Sequence, residues 1–205
     1  MTGGRDNPGG GVVRLFVLEK PIRWLADAGQ ETGMARRRWL LWAVLAGSLA
    51  LGTVTIVVGG SVVPLELART TAGFRDALET LEKTGHSVAA VRWGTLLDFG
   101  FIITYVLAAG GLALRAGDRG GTEGWARAGT WFMRVTIVAG LLDVVENVLL
   151  LVLLQGRGAS WLAGIKASAA VFKFVLLLGG TIPFVVVAWI RSGMVATANR
   201  SSAGD

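Results

Sequence analysis

The sequence predicts an all-α fold: an up-down antiparallel four-helix transmembrane bundle with short amphipathic surface helices. The 205 residues are 53% hydrophobic with a mean hydropathy of +0.59, and only 17% are charged, whereas soluble proteins average about 25% charged residues. The apolar residues come in four long runs instead of alternating with polar ones. Together with tryptophans and basic residues at the ends of the runs, this pattern is typical of membrane-spanning helices.

Residues 1–38 are predicted to form a cytoplasmic N-terminal segment. After a glycine-rich start, Val12 to Gly29 carries too many charges to cross a bilayer. Its apolar residues can share one side of a helix, with Arg14, Arg23 and Asp27 more exposed: Val13, Phe16, Val17 and Trp24. Pro21 is expected to start or kink a turn. We therefore expect a short helix on the membrane surface before the first span, the alternative being a loosely ordered tail.

The first span is predicted at residues 39–63, because about 20 apolar residues cross the ~30 Å hydrocarbon core. Small residues recur along it at helical spacing, which favours close packing on another helix: Ser48, Gly52, Thr55 and Gly59. A second surface helix is predicted between the first and second spans, with Thr70 or Thr71 as its cap and Gly85 after its end. Its apolar stripe is Phe74, Leu78 and Leu81. This helix is either a lid over the bundle or a connector.

The remaining spans are predicted at residues 91–114, 131–154 and 167–190, with a kink at Gly179 to Pro183 and a disordered cytoplasmic tail at 191–205. Six tryptophans fall at or near span ends, as in interfacial belts: Trp39, Trp42, Trp93, Trp131, Trp161 and Trp189. The two termini and the second loop hold 12 basic residues, against 6 in the first and third loops. The positive-inside rule therefore predicts a multi-pass plasma-membrane protein with both termini in the cytoplasm.

Composition excludes several classes of chemistry. The chain has no cysteine and one histidine, His86, which removes disulfides, thiol catalysis, bis-histidine haem and multi-histidine metal sites. We expect no metal and no cofactor. No nucleotide-binding or hydrolase motif occurs, so the sequence names no reaction. The basic residues flank apolar runs, which fits topology better than nucleic-acid binding. Sixteen of the 20 basic residues are arginine, which we read as a sign of a GC-rich bacterial source.

The third span contains the polar residues Asp143, Glu146 and Asn147 within an aliphatic run, at spacings that place them on one helical face. Asp98 and Tyr105 share a face of the second span, and Lys173 lies inside the fourth. With a rise of 1.5 Å per residue, the charged groups of three helices all fall in the outer half of the bilayer. The sequence therefore predicts a polar chamber that opens outward. In it, Asp98 and Glu146 flank Lys173, Asn147 orients them and Asp143 marks the deep end.

Three carboxylates and one ammonium do not balance in this cluster. At least one carboxyl group is expected to be protonated, to share a proton or to hold a cation. Three interpretations of the cluster stay open at this point: a ligand or proton/cation site, hydrogen-bonded contacts that only hold the helices together, and a contact with a partner protein. Lys173 also has the alternative of extending its ammonium outward to the interface.

The order of these features resembles a group of uncharacterised bacterial four-helix integral membrane proteins. In that group an aspartate with a following tyrosine precedes an Asp-x-x-Glu-Asn helix and a membrane lysine. The match runs from Phe74 to Ile190, and its motif residues correspond to Asp98, Tyr105, Asp143, Glu146, Asn147 and Lys173. The resemblance implies a four-helix bundle with a polar centre, and it carries no activity.

Three classes of function are compatible with these features. The first is a binding or transport module for a proton, cation or small polar molecule, in a homo-oligomer or with a membrane partner, since four helices rarely enclose a full pathway. The second is a membrane enzyme acting on a lipid-like substrate, with Asp98 and Glu146 as acid and base and Lys173 stabilising charge. The third is an accessory subunit of a membrane complex. We favour the first, with the lipid bilayer as its surroundings and no nucleic-acid partner.

Overall fold

The computed structural model describes residues 19–23, 34–60, 63–156 and 159–201, and these residues form helices and short connections with no strand. In chain order the helices are α1 (19–23), α2 (Met34–Gly59), α3 (Val63–Leu67), α4 (Thr71–Lys83), α5 (Val88–Arg119), α6 (Glu123–Leu154), α7 (Ser160–Leu176), a π-helical turn (Leu177–Thr181) and α8 (Ile182–Ser201). Four stretches are long and apolar enough to span a membrane: Trp42–Gly59, Val88–Arg119, Glu123–Leu154 and Ser160–Arg191. The predicted all-α four-helix membrane fold is therefore confirmed.

Three of the spans form the centre of the bundle. α5 packs on α6, α6 packs on α7, and α8 returns to contact α5. α2 packs mainly against α5 and leaves most of its surface exposed. This arrangement makes α5, α6 and α7 the helices whose facing sides are removed from the surroundings.

The predicted small-residue face of α2 is confirmed as its contact with α5. Ser48 and Thr55 are buried there. A Cβ atom on Gly94 of α5 would lie 2.8 Å from the Cα of Gly59, and one on Gly52 would lie 3.0 Å from the ring of Phe101. The backbones of α2 and α5 approach this closely because neither Gly59 nor Gly94 carries a side chain.

The predicted surface helix between the first two spans is confirmed as α4. The Thr70 hydroxyl accepts a hydrogen bond from the Gly73 N–H at 3.1 Å, which caps the helix. Phe74 and Leu81 are buried, and Gly85 follows the helix with φ +92°, a conformation that favours glycine. α3 and α4 contact each other and both pack on α7, so they cover one end of the bundle.

The apolar stretch of the fourth span is Ser160–Arg191, against the predicted residues 167–190. The helices that contain it run further, since α7 begins at Ser160 and α8 continues to Ser201. Residues 191–201, predicted as the start of a disordered tail, therefore continue the helix. The expected kink takes the form of the π-helical turn Leu177–Thr181, directly before Pro183. Pro183 has no N–H to donate to the preceding turn. In the same turn, the Thr181 hydroxyl lies 3.1 Å from the Thr136 hydroxyl on α6.

Only part of the predicted N-terminal surface helix lies within the described residues. Residues 19–23 are helical and include Pro21, whereas Val13, Phe16, Val17 and Trp24 lie outside the described residues. Ile22 is fully buried in a cluster with residues of α5 and α6. A Cβ atom on Gly110 would lie 3.3 Å from the Ile22 side chain, so the absence of a side chain there makes room for α1.

Five of the six tryptophans predicted for the membrane interface have exposed side chains; the side chain of Trp39 lies outside the described part. The exposed residues are Trp42, Trp93, Trp131, Trp161 and Trp189. An indole exposed beside the apolar surface of a span is compatible with the predicted interfacial belts.

Candidate functional site

The polar residues predicted as a site meet in the interior of the bundle. Asp143, Glu146, Asn147 and Leu150 form a buried stripe on α6, at the spacing of three and four residues that defines one helical face. α7 presents a matching stripe of small and basic residues: Ala163, Lys166, Ala167, Ala170 and Lys173. Because the alanines are small, α7 can approach α6 closely, and the Lys173 ammonium lies in the interface between them.

Lys173 is held by two carboxyl groups. Its ammonium donates a hydrogen bond to Asp143 Oδ1 at 2.8 Å and lies 2.8 Å from Glu146 Oε2. Lys173, Asp143 and Glu146 are only 6%, 4% and 1% exposed. The alternatives in which Lys173 extends outward, or the carboxyl groups face a partner protein, do not fit this geometry.

Asp98 is bound to α6 through a different residue. The Asn147 side-chain amide donates a hydrogen bond to Asp98 Oδ2 at 2.7 Å. The expected order of the cluster is therefore wrong in one respect: Asp143 and Glu146 flank Lys173, while Asp98 pairs with Asn147. Asn147 orients Asp98, and three helices are joined by side-chain contacts.

Tyr105 lies beside this cluster, with its hydroxyl directed at Asp143. Its hydroxyl is buried, and its ring packs against Phe101 with 5.2 Å between the ring centroids. It interacts electrostatically with Asp143 and Asp98. Glu146 Oε1 is also buried without a hydrogen-bond partner in the described part of the chain. The cluster thus retains one acceptor, Glu146 Oε1, that has no donor in the described part of the chain.

The structure adds a second buried lysine, Lys166, directly before the predicted start of the fourth span at residue 167. Lys166 is 0% exposed, and its ammonium donates hydrogen bonds to the main-chain carbonyls of Leu65 and Glu66. Helix ends leave carbonyls without partners, and Lys166 satisfies two of those on α3. The ammonium also lies 5.7 Å from the centre of the Phe74 ring on α4. Lys166 therefore holds α3 and α4 against the bundle.

Glu66 is the other residue that sequence reasoning missed. It is half-buried on α3, and its carboxyl group interacts electrostatically with Lys173, Asp143 and Lys166. Burial raises the pKa of Glu66 above its ordinary value of 4.5, while the nearby Lys173 acts in the opposite direction. Glu66 and Lys166 extend the cluster to four carboxyl groups and two ammonium groups, so the excess of acidic groups expected from the sequence remains.

Searches against protein-family models, curated proteins and solved structures found no match. The resemblance to bacterial four-helix membrane proteins therefore stays a prediction.

Proposed function

We propose that this chain is a binding or transport module of a cell membrane and that the cluster around Lys173 is its ligand site. The observation that supports this proposal is the contact of one buried ammonium with two buried carboxyl groups inside apolar helices. Charged groups at this depth cost about 2.5–3.5 kcal/mol each on insertion scales. Replacing a buried ion pair with apolar residues is often neutral or stabilising, so stability alone is a weak reason for this arrangement.

Among a proton, a cation and a small polar molecule, the geometry favours a proton. The Lys173 ammonium already occupies the space between Asp143 and Glu146 that a bound cation would take. A proton on Glu146 Oε1 needs no such space, and it reduces the excess of carboxyl groups over ammonium groups. In this proposal Glu146 carries the proton, Lys173 and Asp143 set its affinity, and Asp98, Asn147 and Tyr105 complete the polar path through the bundle.

The surroundings of the site follow from the distribution of charge and of exposed apolar surface. We propose that both termini face the cytoplasm, which places the cluster in the outer half of the bilayer and places α3 and α4 outside. α2 contacts mainly α5 and exposes large apolar side chains such as Leu49, Ile56 and Val57. This face can contact lipid, a second copy of the chain or a membrane partner, and a partner there makes an accessory subunit the second candidate function. An enzyme is less well supported, because Glu146, its proposed acid or base, is enclosed by the helices. A lipid-like substrate would have to reach this side chain, whereas a proton needs no such space.

Stability across pH tests the proposal in the detergent-purified chain. If Glu146 binds and releases a proton, the stability of wild-type protein should change with pH between about pH 5 and 8. Glu146→Gln should fold and should lose that change. Glu79→Gln, on the exposed surface of α4, is the matched control and should keep it. Unfolding by Glu146→Gln with no pH signature in wild type would assign the cluster to structural contacts and favour the accessory-subunit alternative.

A further inference from the structure

A cleft of about 440 Å³ opens between α5 and α6 near the loop that joins them. Its wall contains both basic and acidic side chains, together with Trp131: Arg23, Asp118, Glu123, Arg127 and Arg134. Leu114 and Ala126 add apolar surface. Arg134 precedes Asp143 by nine residues of α6, roughly 13 Å along the helix axis. The cleft is therefore separate from the Lys173 cluster, and no step of the proposed function uses it.

The arginines of the cleft have carboxylate partners that are shared or exposed. Arg23 and Arg134 share one carboxylate, that of Glu19, at 3.0 and 3.7 Å. Arg127 lies 3.5 Å from Glu123, but both side chains are more than 70% exposed, and exposed pairs of this kind contribute little. Asp118 also lines the cleft, so three arginines face three carboxylates. The exposed Arg127 can exchange its partner at low cost.

The same end of the bundle is basic beyond the cleft. Among its described side chains, the acidic ones are Glu19, Asp118 and Glu123. The basic ones are Lys20, Arg23, Arg115, Arg119, Arg127, Arg134 and Arg191. This excess attracts anions, and the planar guanidinium group matches the oxygen atoms of a phosphate.

The cleft also has the surroundings that a lipid headgroup requires. Trp131 is exposed at its edge, as expected of a residue at the headgroup level. Arg134 lies one helical turn further into the span, where its long side chain can reach back toward the interface. Leu114 and Ala126 offer apolar contact beside these polar groups.

We infer that this cleft binds the phosphate group of a membrane phospholipid, with Arg127 and Arg134 as donors and Trp131 against the lipid. Basic pockets between membrane helices are known to take anionic headgroups. The phosphate is the group recognised, so a soluble phosphate ester is the competing source of the same chemistry. The inference does not depend on the function proposed for the Lys173 cluster.

Native mass spectrometry of the delipidated full-length chain tests this inference with three probes. Dioleoylphosphatidylglycerol carries the phosphate and the acyl chains, dioleoylglycerol carries the acyl chains alone, and glycerol 3-phosphate carries the phosphate alone. The variant Arg127→Gln/Arg134→Gln removes the two donors. Thr130→Trp fills the cleft while leaving its charges intact, and Arg75→Gln removes an exposed charge of α4 as the control.

We expect one phosphatidylglycerol per wild-type chain, bound about tenfold or more tightly than dioleoylglycerol, because charge-assisted hydrogen bonds are lost without the phosphate. The Arg127→Gln/Arg134→Gln variant should bind phosphatidylglycerol about tenfold more weakly. Thr130→Trp should also lose the lipid, and Arg75→Gln should bind it normally. Equal binding of the two lipids, or equal losses in Arg75→Gln and the cleft variants, would overturn the inference. Glycerol 3-phosphate binding as tightly as the lipid would assign the cleft to soluble phosphate esters instead.

Discussion

Replacing Lys173 with methionine removes the one ammonium that contacts both Asp143 and Glu146. Each contact measures 2.8 Å, and the three side chains are almost fully buried. Methionine fills a similar volume, so the main effect is electrostatic: two carboxyl groups lose their counter-charge in the bundle interior. Removing one partner of a buried ion pair costs about 3–5 kcal/mol of stability, and we expect Lys173→Met to fall in that range.

The assay is equilibrium unfolding in mixed detergent micelles, followed by circular dichroism and tryptophan fluorescence. Lys83→Met is the matched control, because Lys83 pairs with Glu79 at 2.7 Å on the exposed surface of α4, where such a pair contributes about 0.3–0.5 kcal/mol. The double variant Glu146→Gln/Lys173→Met should lose less than the sum of its single variants, since neutralising Glu146 removes part of the uncompensated charge. Equal stabilities of Lys173→Met and Lys83→Met would refute the reasoning, and so would strict additivity.

Three further predictions use contacts elsewhere in the molecule. Gly94→Ala should destabilise the chain in thermal unfolding by about 1–3 kcal/mol, because the added Cβ atom meets the backbone of α2; Gly47→Ala has open space and should stabilise. A Gly94→Ala variant as stable as wild type would contradict the close packing of α2 on α5. Lys166→Met should speed hydrogen exchange in α3 and α4, because two carbonyls of α3 lose their donor; exchange like that of Lys83→Met would contradict this role of Lys166. Because burial raises the pKa of Glu66 in the folded chain, ionisation of this group costs stability as pH rises from its ordinary pKa through its raised one. Wild type should therefore lose stability on going from about pH 4 to pH 8, and Glu66→Gln should lose less over the same range. Identical pH profiles of the two proteins would contradict this.

The sequence was sufficient to predict the four spans, the surface helix α4 and the part of the cluster that lies on α5 and α6, together with Lys173. Long apolar runs predict spans whatever their neighbours, and the spacing of Asp143, Glu146 and Asn147 fixes a common face. The cap at Thr70 and the glycine at Gly85 are local signals, which depend on no tertiary contact. These predictions held because each rests on chemistry within a few residues of the chain.

The pairing inside the cluster could not be predicted in this way. Counting residues from a membrane boundary gives the height of a side chain but not its direction around the helix axis. Asp98 and Lys173 were expected to meet because both lie at a similar depth in the membrane. In the structure Asp98 accepts a hydrogen bond from Asn147, and Lys173 contacts Asp143 and Glu146 instead. Asp143 and Glu146 are three residues apart on α6, and both face α7. The rotation of α5 relative to α6 and α7 is set by tertiary packing, which a single sequence does not display.

The two missed residues differ in how visible they were. Lys166 precedes Lys173 by seven residues, about two helical turns, so the same spacing rule that grouped the α6 residues places both lysines on one face. Treating Ala167 as the start of the span concealed this signal. Glu66 follows Pro64 on a five-residue helix, which is too short to show a periodic pattern. Its position near the cluster becomes evident only when α3 is docked.

Proton flux into proteoliposomes tests the central claim most directly. Wild type, Glu146→Gln and the control Glu79→Gln are reconstituted at equal density, and an internal pH dye reports proton entry under an imposed pH gradient with the membrane potential clamped. If Glu146 carries the proton, wild type and Glu79→Gln should conduct well above empty liposomes, while folded Glu146→Gln should not. Flux that is unchanged in Glu146→Gln, or wild-type flux equal to that of empty liposomes, would contradict the proposed proton site.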